Sequence, residues 1–133
     1  MILLEDEHCM FFNSETLEGD LLRGSGAIIP KAHRPTPFDL TPDEVTSTFA
    51  LLRQARPLLD ERYRPDGFNI GWNCYRAAGQ AADHAHMHVL LRFADEPKAG
   101  QGIRLPLRQP DNRRPDPAAT GSGDRSFVAD DYR

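Results

Sequence analysis

The sequence has few cysteines, no long apolar run and no excess of positive charge. Its 133 residues include only Cys9 and Cys74, and neither belongs to a C-x-x-C pair, so a zinc ribbon or dithiol motif is not indicated. We expect both to be free, buried thiols. No stretch of about 18 apolar residues is present, so no transmembrane helix and no membrane partner are expected. The net charge of −4 argues against a broad nucleic-acid surface, which is usually basic, but allows a local phosphate site.

The two ends of the chain lack the apolar periodicity of its middle. The first ten residues, MILLEDEHCM, are acidic where a signal peptide would be basic, so we expect a cytoplasmic protein. Downstream, Pro97–Gly123 is rich in proline and glycine, and only the pair Phe127-Val128 could anchor the end of the chain. We therefore expect one domain over residues 1–105 and an extended or partly disordered tail over 106–133.

The middle of the chain predicts two strands, a helix and two further strands. Thr41 can cap a helix that begins at Pro42, with Glu44 at the capping-box position, and apolar spacing carries the helix to about Tyr63. Pro57 lies inside this span and is expected to kink or interrupt it. Short apolar runs bounded by polar, glycine or proline residues predict the strands at His8–Phe12, Ala27–Ile29, Phe68–Cys74 and Ala85–Phe93.

Three of the five histidines alternate along the last predicted strand, at His84, His86 and His88. Alternate side chains of a strand point the same way, so the three imidazoles should line one face at intervals of about 7 Å. An imidazole with an ordinary pKa of about 6.5 is largely neutral at pH 7 and can act as a nucleophile, a hydrogen-bond donor or a proton carrier. Two alternatives remain at this point: a purely structural row, and a metal site, although nearby carboxylates are few (Asp83 and Asp95).

The row and its surroundings resemble the histidine triad (HIT) family, in its bacterial-type, nucleotide hydrolase-like branch. The family signature alternates three histidines with apolar residues, and His84–Leu90 fits it at every position. The resemblance spans roughly residues 8 to 105. It includes the strand end Ile28–His33, the helix start Phe38–Glu44, the segment Phe68–Asn73, the pair Gly79-Gln80 and the pair Arg92-Phe93.

The resemblance implies an α+β fold, with an antiparallel sheet of about five strands and one long helix packed on it. It also implies a homodimer, and an enzyme that hydrolyses or transfers a nucleotidyl group at the α-phosphate without a cofactor or a site metal. By position, His86 is then the nucleophile that forms a covalent nucleotidyl-histidine. His88 contacts the phosphate and the leaving group, and His84 supports the geometry.

The resemblance further implies that Asn73 and Gln80 contact the nucleotide, although both could instead be amides that satisfy turns. Trp72 is expected in the core. Two departures from the family pattern bear on activity. Ser25 stands where many members have a histidine that buttresses the triad, and Ala81 stands where many have a hydroxyl beside the phosphate.

Three functions are therefore open. The first is hydrolysis or transfer on a purine nucleotide conjugate, such as a dinucleoside polyphosphate or a nucleoside phosphoramidate, as in diadenosine tetraphosphate hydrolases. The second is nucleotide binding with little or no turnover, which the two departures favour. The third is a metal-binding histidine site on an unrelated fold. The resemblance favours the first.

Overall fold

The computed structural model describes residues 1–13 and 21–115, and it is built on one five-stranded antiparallel sheet. The spatial order of the strands is β1-β2-β3-β5-β4. One long helix, α1, lies between β3 and β4 in the chain, so the α+β fold predicted above is confirmed. The strands are β1 (Ile2–Glu5), β2 (Cys9–Asn13), β3 (Gly26–Pro30), β4 (Gly67–Gly71) and β5 (Met87–Arg92).

The last two predicted strands are shorter than expected. β4 ends at Gly71 rather than Cys74, and β5 begins at Met87, so His84 and His86 precede the strand instead of lying in it. Pairing between β3 and β5 covers only three residue pairs, from Gly26↔Val89 to Ile28↔Met87. Continued in the same register, the ladder would meet Pro30, which has no N–H to donate. The chain around the first two histidines must therefore be held by other contacts.

The helix begins and ends where the sequence predicted. α1 runs from Pro42 to Tyr63, and Thr41 and Glu44 form the expected capping box. The interruption expected at Pro57 is wrong, because the helix continues through this residue. Proline has no N–H, so Pro57 cannot donate to the carbonyl of Arg53 one turn earlier. Both residues are exposed, so water can donate to this carbonyl instead.

The core lies between α1 and one face of the sheet. Helix residues Leu51, Ala55 and Leu59 are almost fully buried and belong to the same apolar cluster as strand residues Phe11, Ile28, Met87, Val89 and Leu91. Trp72 packs against this cluster and meets the ring of Phe49 on α1 edge to face at 6.3 Å, so it contributes to the core as predicted. Cys9 is buried and Cys74 half-buried, and both are free.

The segment after β5 forms short 3-10 turns at Leu105–Arg108 and Pro110–Asn112, both exposed. The expected tail is thus described only as far as residue 115, and the pair Phe127-Val128 lies outside the described residues. The domain boundary near residue 105 stays a prediction. Among the helices of the described ranges, none is long and apolar enough to cross a membrane.

Candidate active site

The structure brings two of the three histidine rings into direct contact. Ala85, Met87 and Val89 are at most 2% exposed and face the core, while His84, His86 and His88 alternate with them and are half-buried. The rings of His86 and His88 meet edge to face, with centroids 4.6 Å apart. His86 and His88 therefore form a pair on the side of the segment that α1 leaves uncovered.

The ring of His84 is turned toward the end of β3. Its Nε2 lies 2.8 Å from the carbonyl oxygen of Pro30, and its ring meets that of the exposed His33 edge to face at 5.5 Å. A carbonyl only accepts hydrogen bonds, so Nε2 of His84 carries the proton. His84 thus ties the histidine segment to β3, and its supporting role in a reaction stays a prediction.

A backbone carbonyl selects the tautomer of His86. Its Nδ1 lies 2.9 Å from the carbonyl oxygen of His84 and must donate the hydrogen. In the neutral ring the lone pair is then on Nε2, the nitrogen farther from the backbone. His86 therefore holds a nucleophilic nitrogen without needing a second side chain to remove a proton.

His88 sits in a less polar setting than an ordinary surface histidine. Burial lowers the pKa of His88, and the neighbouring His86 lowers it further. Within residues 1–13 and 21–115, its Nε2 is one of two buried side-chain polar atoms without a hydrogen-bond partner. Gly71 lies opposite His88 on β4, and a Cβ there would meet nothing within 4 Å.

Gln80 and Asn73 occupy the loop between β4 and the histidines. The amide oxygen of Gln80 accepts from the N–H of Tyr75 at 2.7 Å. Its nitrogen donates to the carbonyls of Pro35 and Ala82 at 2.6 and 2.9 Å. Asn73 is exposed, and its side-chain nitrogen lies 3.7 Å from where a Cβ on Gly79 would sit. Gln80 thus shapes the loop, and Asn73 leaves its amide open to a ligand.

The two departures from the family pattern have different surroundings. Ser25 is buried, and its hydroxyl accepts the N–H of Leu91 at 2.9 Å. Gly24 just before it has a φ of +82°, a conformation that glycine adopts readily. Ser25 therefore satisfies the β5 backbone where the chain enters β3. Ala81 is exposed and offers no hydroxyl to a ligand.

Two backbone carbonyls hold the histidine segment, one at the end of β3 and one in the loop after it. The carbonyl of Pro30 accepts from the ring of His84, and the carbonyl of Arg34 accepts the N–H of Ala85 at 2.6 Å. The sequence did not predict the part that Arg34 plays. The Arg34 side chain in turn contacts Glu44 of α1 at 2.9 Å. No spacing or periodicity in the sequence signals these contacts, because they depend on how the loop crosses the chain.

The described residues contain no ligand set for the metal-binding alternative. In the part of the chain that the structure describes, no group of three or more His, Cys, Asp or Glu side chains could hold a metal ion. Two of the three row histidines instead use a ring nitrogen to bind a backbone carbonyl, His84 to Pro30 and His86 to His84.

Comparison with protein families matches residues 21–95, more than half of the chain, to the HIT domain. A HIT-like protein of Mycoplasma pneumoniae is 32% identical over 110 residues, which cover 82% of this chain and 71% of that protein. The asymmetrical bis(5'-nucleosyl)-tetraphosphatase of Schizosaccharomyces pombe is 32% identical over 72 residues, which cover 54% of this chain but only 40% of that enzyme.

The fold is shared with solved structures. The crystal structure of a HIT family protein from Bacillus anthracis matches with a TM-score of 0.65 over 99% of this chain and 87% of that one, at 23% identity. At this identity the likeness shows a common fold.

Proposed function

This chain belongs to the HIT family, and from that premise we propose that it cleaves nucleotide conjugates at the α-phosphate through a covalent intermediate on His86. Relatives named as hydrolases of bis-nucleosyl tetraphosphates and bis-adenosyl triphosphates support a nucleotide conjugate as substrate. A relative in Arabidopsis thaliana is named as an adenylylsulfatase. We therefore take purine dinucleoside polyphosphates and nucleoside phosphoramidates as the substrate class.

The observation that carries the proposal is the contact between Nδ1 of His86 and the carbonyl oxygen of His84. Because Nδ1 donates to the carbonyl of His84, the lone pair of Nε2 can attack the α-phosphorus. The new P–N bond forms as the bond from phosphorus to the bridging oxygen or nitrogen breaks. A departing phosphate keeps the electron pair of that bond, and a departing amine also takes up a proton from solvent.

Water completes the cycle. It attacks the same phosphorus, the P–N bond breaks, and its electron pair returns to Nε2 of His86. The water loses a proton to solvent, and a nucleoside monophosphate leaves. Splitting one displacement into two is the usual advantage of covalent catalysis.

The remaining predicted site residues take supporting parts in this proposal. His88, which is neutral at pH 7 because its pKa is lowered, donates a hydrogen bond to a phosphate oxygen. Asn73 contacts the phosphate or ribose with its open amide, and His84 holds the backbone behind His86. Gln80 acts through the loop that it braces.

Nucleotide binding with slow turnover is the second candidate. The exposed Ala81 supplies no hydroxyl to the phosphate, and the Ser25 hydroxyl is already occupied by the backbone of β5. A missing hydrogen bond to a charged group costs about 1–3 kcal/mol, which lowers a rate without removing the nucleophile. Turnover measurements separate the two candidates.

The test measures release of adenosine monophosphate from diadenosine tetraphosphate and from adenosine 5′-phosphoramidate. We expect His86→Ala to lower turnover by about 10³-fold or more, because the intermediate can no longer form. His8→Ala is the matched control, since His8 lies in the turn between β1 and β2 and its ring pairs with Glu7. Unchanged turnover in His86→Ala would refute the mechanism, and wild-type binding without turnover would favour the second candidate.

We also propose a homodimer joined along β4. This strand lies at an edge of the sheet and carries the exposed Ile70, and Phe49 of α1 contacts Trp72 just after it. Ile70, Phe49 and Val45, one turn earlier on α1, expose 37–47% of their surface. An unpaired edge next to exposed apolar side chains is typical of a subunit interface. Sedimentation velocity should give twice the chain mass for the wild type and a monomer for Phe49→Glu. A monomeric wild type would contradict the proposal.

A further inference from the structure

One peptide unit, between His84 and Ala85, is held at both ends. Its carbonyl accepts the Nδ1 hydrogen of His86 at 2.9 Å, and its N–H donates to the carbonyl of Arg34 at 2.6 Å. A trans peptide is planar, with its N–H and C=O on opposite sides, so the two bonds fix one orientation of the plane. Turning that plane away from Arg34 would also turn the carbonyl away from His86.

This peptide lies where the sheet gives no support. β5 begins at Met87, two residues later, and its ladder with β3 ends at the pair Ile28↔Met87. The Arg34 carbonyl therefore accepts the backbone hydrogen bond that a neighbouring strand would accept elsewhere in the sheet. Donation of the N–H to Arg34 also polarises the peptide, which strengthens its carbonyl as an acceptor for His86.

The position of Arg34 is set by an ion pair with the first turn of α1. Nε of Arg34 lies 2.9 and 3.2 Å from the two carboxylate oxygens of Glu44, whose side chain is 5% exposed. Glu44 also accepts the N–H of Thr41 as part of the capping box. Burial raises the pKa of Glu44, but hydrogen bonds from Thr41 and Arg34 outweigh it, so the pKa lies below its ordinary value.

We propose that Arg34 and Glu44 are positioning residues for the nucleophile. They hold the His84–Ala85 peptide so that its carbonyl keeps the proton of His86 on Nδ1. The inference rests on the proposed function in taking His86 as the nucleophile. Neither residue touches the substrate, so both act on the tautomer and the orientation of His86 rather than on binding.

The test compares Arg34→Met and Glu44→Gln with the wild-type protein. Arg34→Met removes the guanidinium and keeps an apolar stem of similar length. Glu44→Gln removes the charge, while glutamine still serves in a capping box, so α1 keeps its start. Arg56→Met is the matched control. Arg56 lies on α1, as Glu44 does, but its ion pair with Asp60 is exposed.

Two measurements are made on each variant. Long-range proton–nitrogen NMR correlations report whether Nδ1 or Nε2 of His86 carries the proton. Steady-state kinetics with adenosine 5′-phosphoramidate separates kcat from KM. We expect both test variants to move from Nδ1–H to a mixture of tautomers and to lose about 10-fold in kcat, with KM changed less than about twofold.

The NMR readout keeps the inference separate from the proposed function. A wild type without turnover would count against the function, and the tautomer comparison would still decide the role of Arg34 and Glu44. If the test variants keep the wild-type tautomer, as Arg56→Met should, the inference is wrong even if kcat falls. If Arg34→Met does not fold, Glu44→Gln decides alone.

Discussion

The two sides of the segment from Ala85 to Leu91 differ in what their side chains do. Toward α1, Met87, Val89 and Leu91 are at most 2% exposed and lie in the core. On the other side, which faces away from α1, His86, His88 and Leu90 are half-buried. One side thus contributes stability, and the other carries the histidines that we propose contact the nucleotide.

The comparison shows why the histidines must alternate. A strand displaced by one residue exchanges its two faces, so the apolar residues that fix the register also fix the direction of the histidines. The core side therefore fixes the direction of His88, which lies in β5. The segment before β5 is held by the additional hydrogen bond from Ala85 to Arg34. This division predicts that changes on the two sides have different effects.

The largest effect is expected from Met87→Ala on the core side. Met87 is fully buried, and truncation of a buried methionine leaves a cavity that costs about 2–5 kcal/mol. We expect the free energy of unfolding to fall by about 3 kcal/mol. Turnover per folded molecule should stay within about threefold of the wild type, since the histidines keep their register. Denaturant unfolding measures the first quantity and active-site titration the second.

Leu90→Ala is the matched change on the opposite side. Leu90 is only half-buried, so its truncation should cost about 1 kcal/mol or less. An equal loss of stability in Leu90→Ala and Met87→Ala would break the comparison between the two sides.

The smallest effect is a pH dependence that comes from the histidine side. The pKa of His88 lies below its ordinary value of about 6.5 in the folded protein, so the unfolded chain takes up this proton first as the pH falls. The stability that comes from uncharged His88 is therefore complete above the ordinary pKa of about 6.5. It is lost as the pH falls toward the lower pKa that His88 has in the folded protein. The carboxyl of Glu44, whose pKa is lowered, contributes a loss only at more acidic pH.

Denaturant unfolding between pH 7.5 and 5.5 measures this effect. We expect stability to fall over this range in the wild type and to fall less in His88→Gln, because glutamine does not titrate. Identical slopes in the wild type and His88→Gln would show that the setting of His88 does not disfavour its charged form.

Local signals in the sequence predicted much of the fold. Thr41, Pro42 and Glu44 marked the start of α1, and the resemblance supplied the five-stranded sheet. β1 was missed because it is a four-residue edge strand with no fully buried residue. The end of the β3–β5 ladder was also missed, since it depends on Pro30 coming opposite the histidine segment.

The site was only partly predictable for a similar reason. Alternation identified the histidines and the side on which they lie. Three contacts of the site instead depend on backbone carbonyls. They are the hydrogen bonds from the His86 ring to His84, from the His84 ring to Pro30, and from the Ala85 N–H to Arg34. Every residue has such a carbonyl, so the sequence carries no mark of which ones meet the site.

The central claim is that His86 carries the nucleotidyl group during turnover. Rapid-quench mass spectrometry of the wild-type protein mixed with adenosine 5′-phosphoramidate tests it most directly. We expect an adenylyl group on the peptide that contains His86, formed within one turnover, lost as adenosine monophosphate is released, and absent from His86→Ala. Monophosphate release in a wild type that never carries this adduct, or an adduct on another residue, would contradict the account.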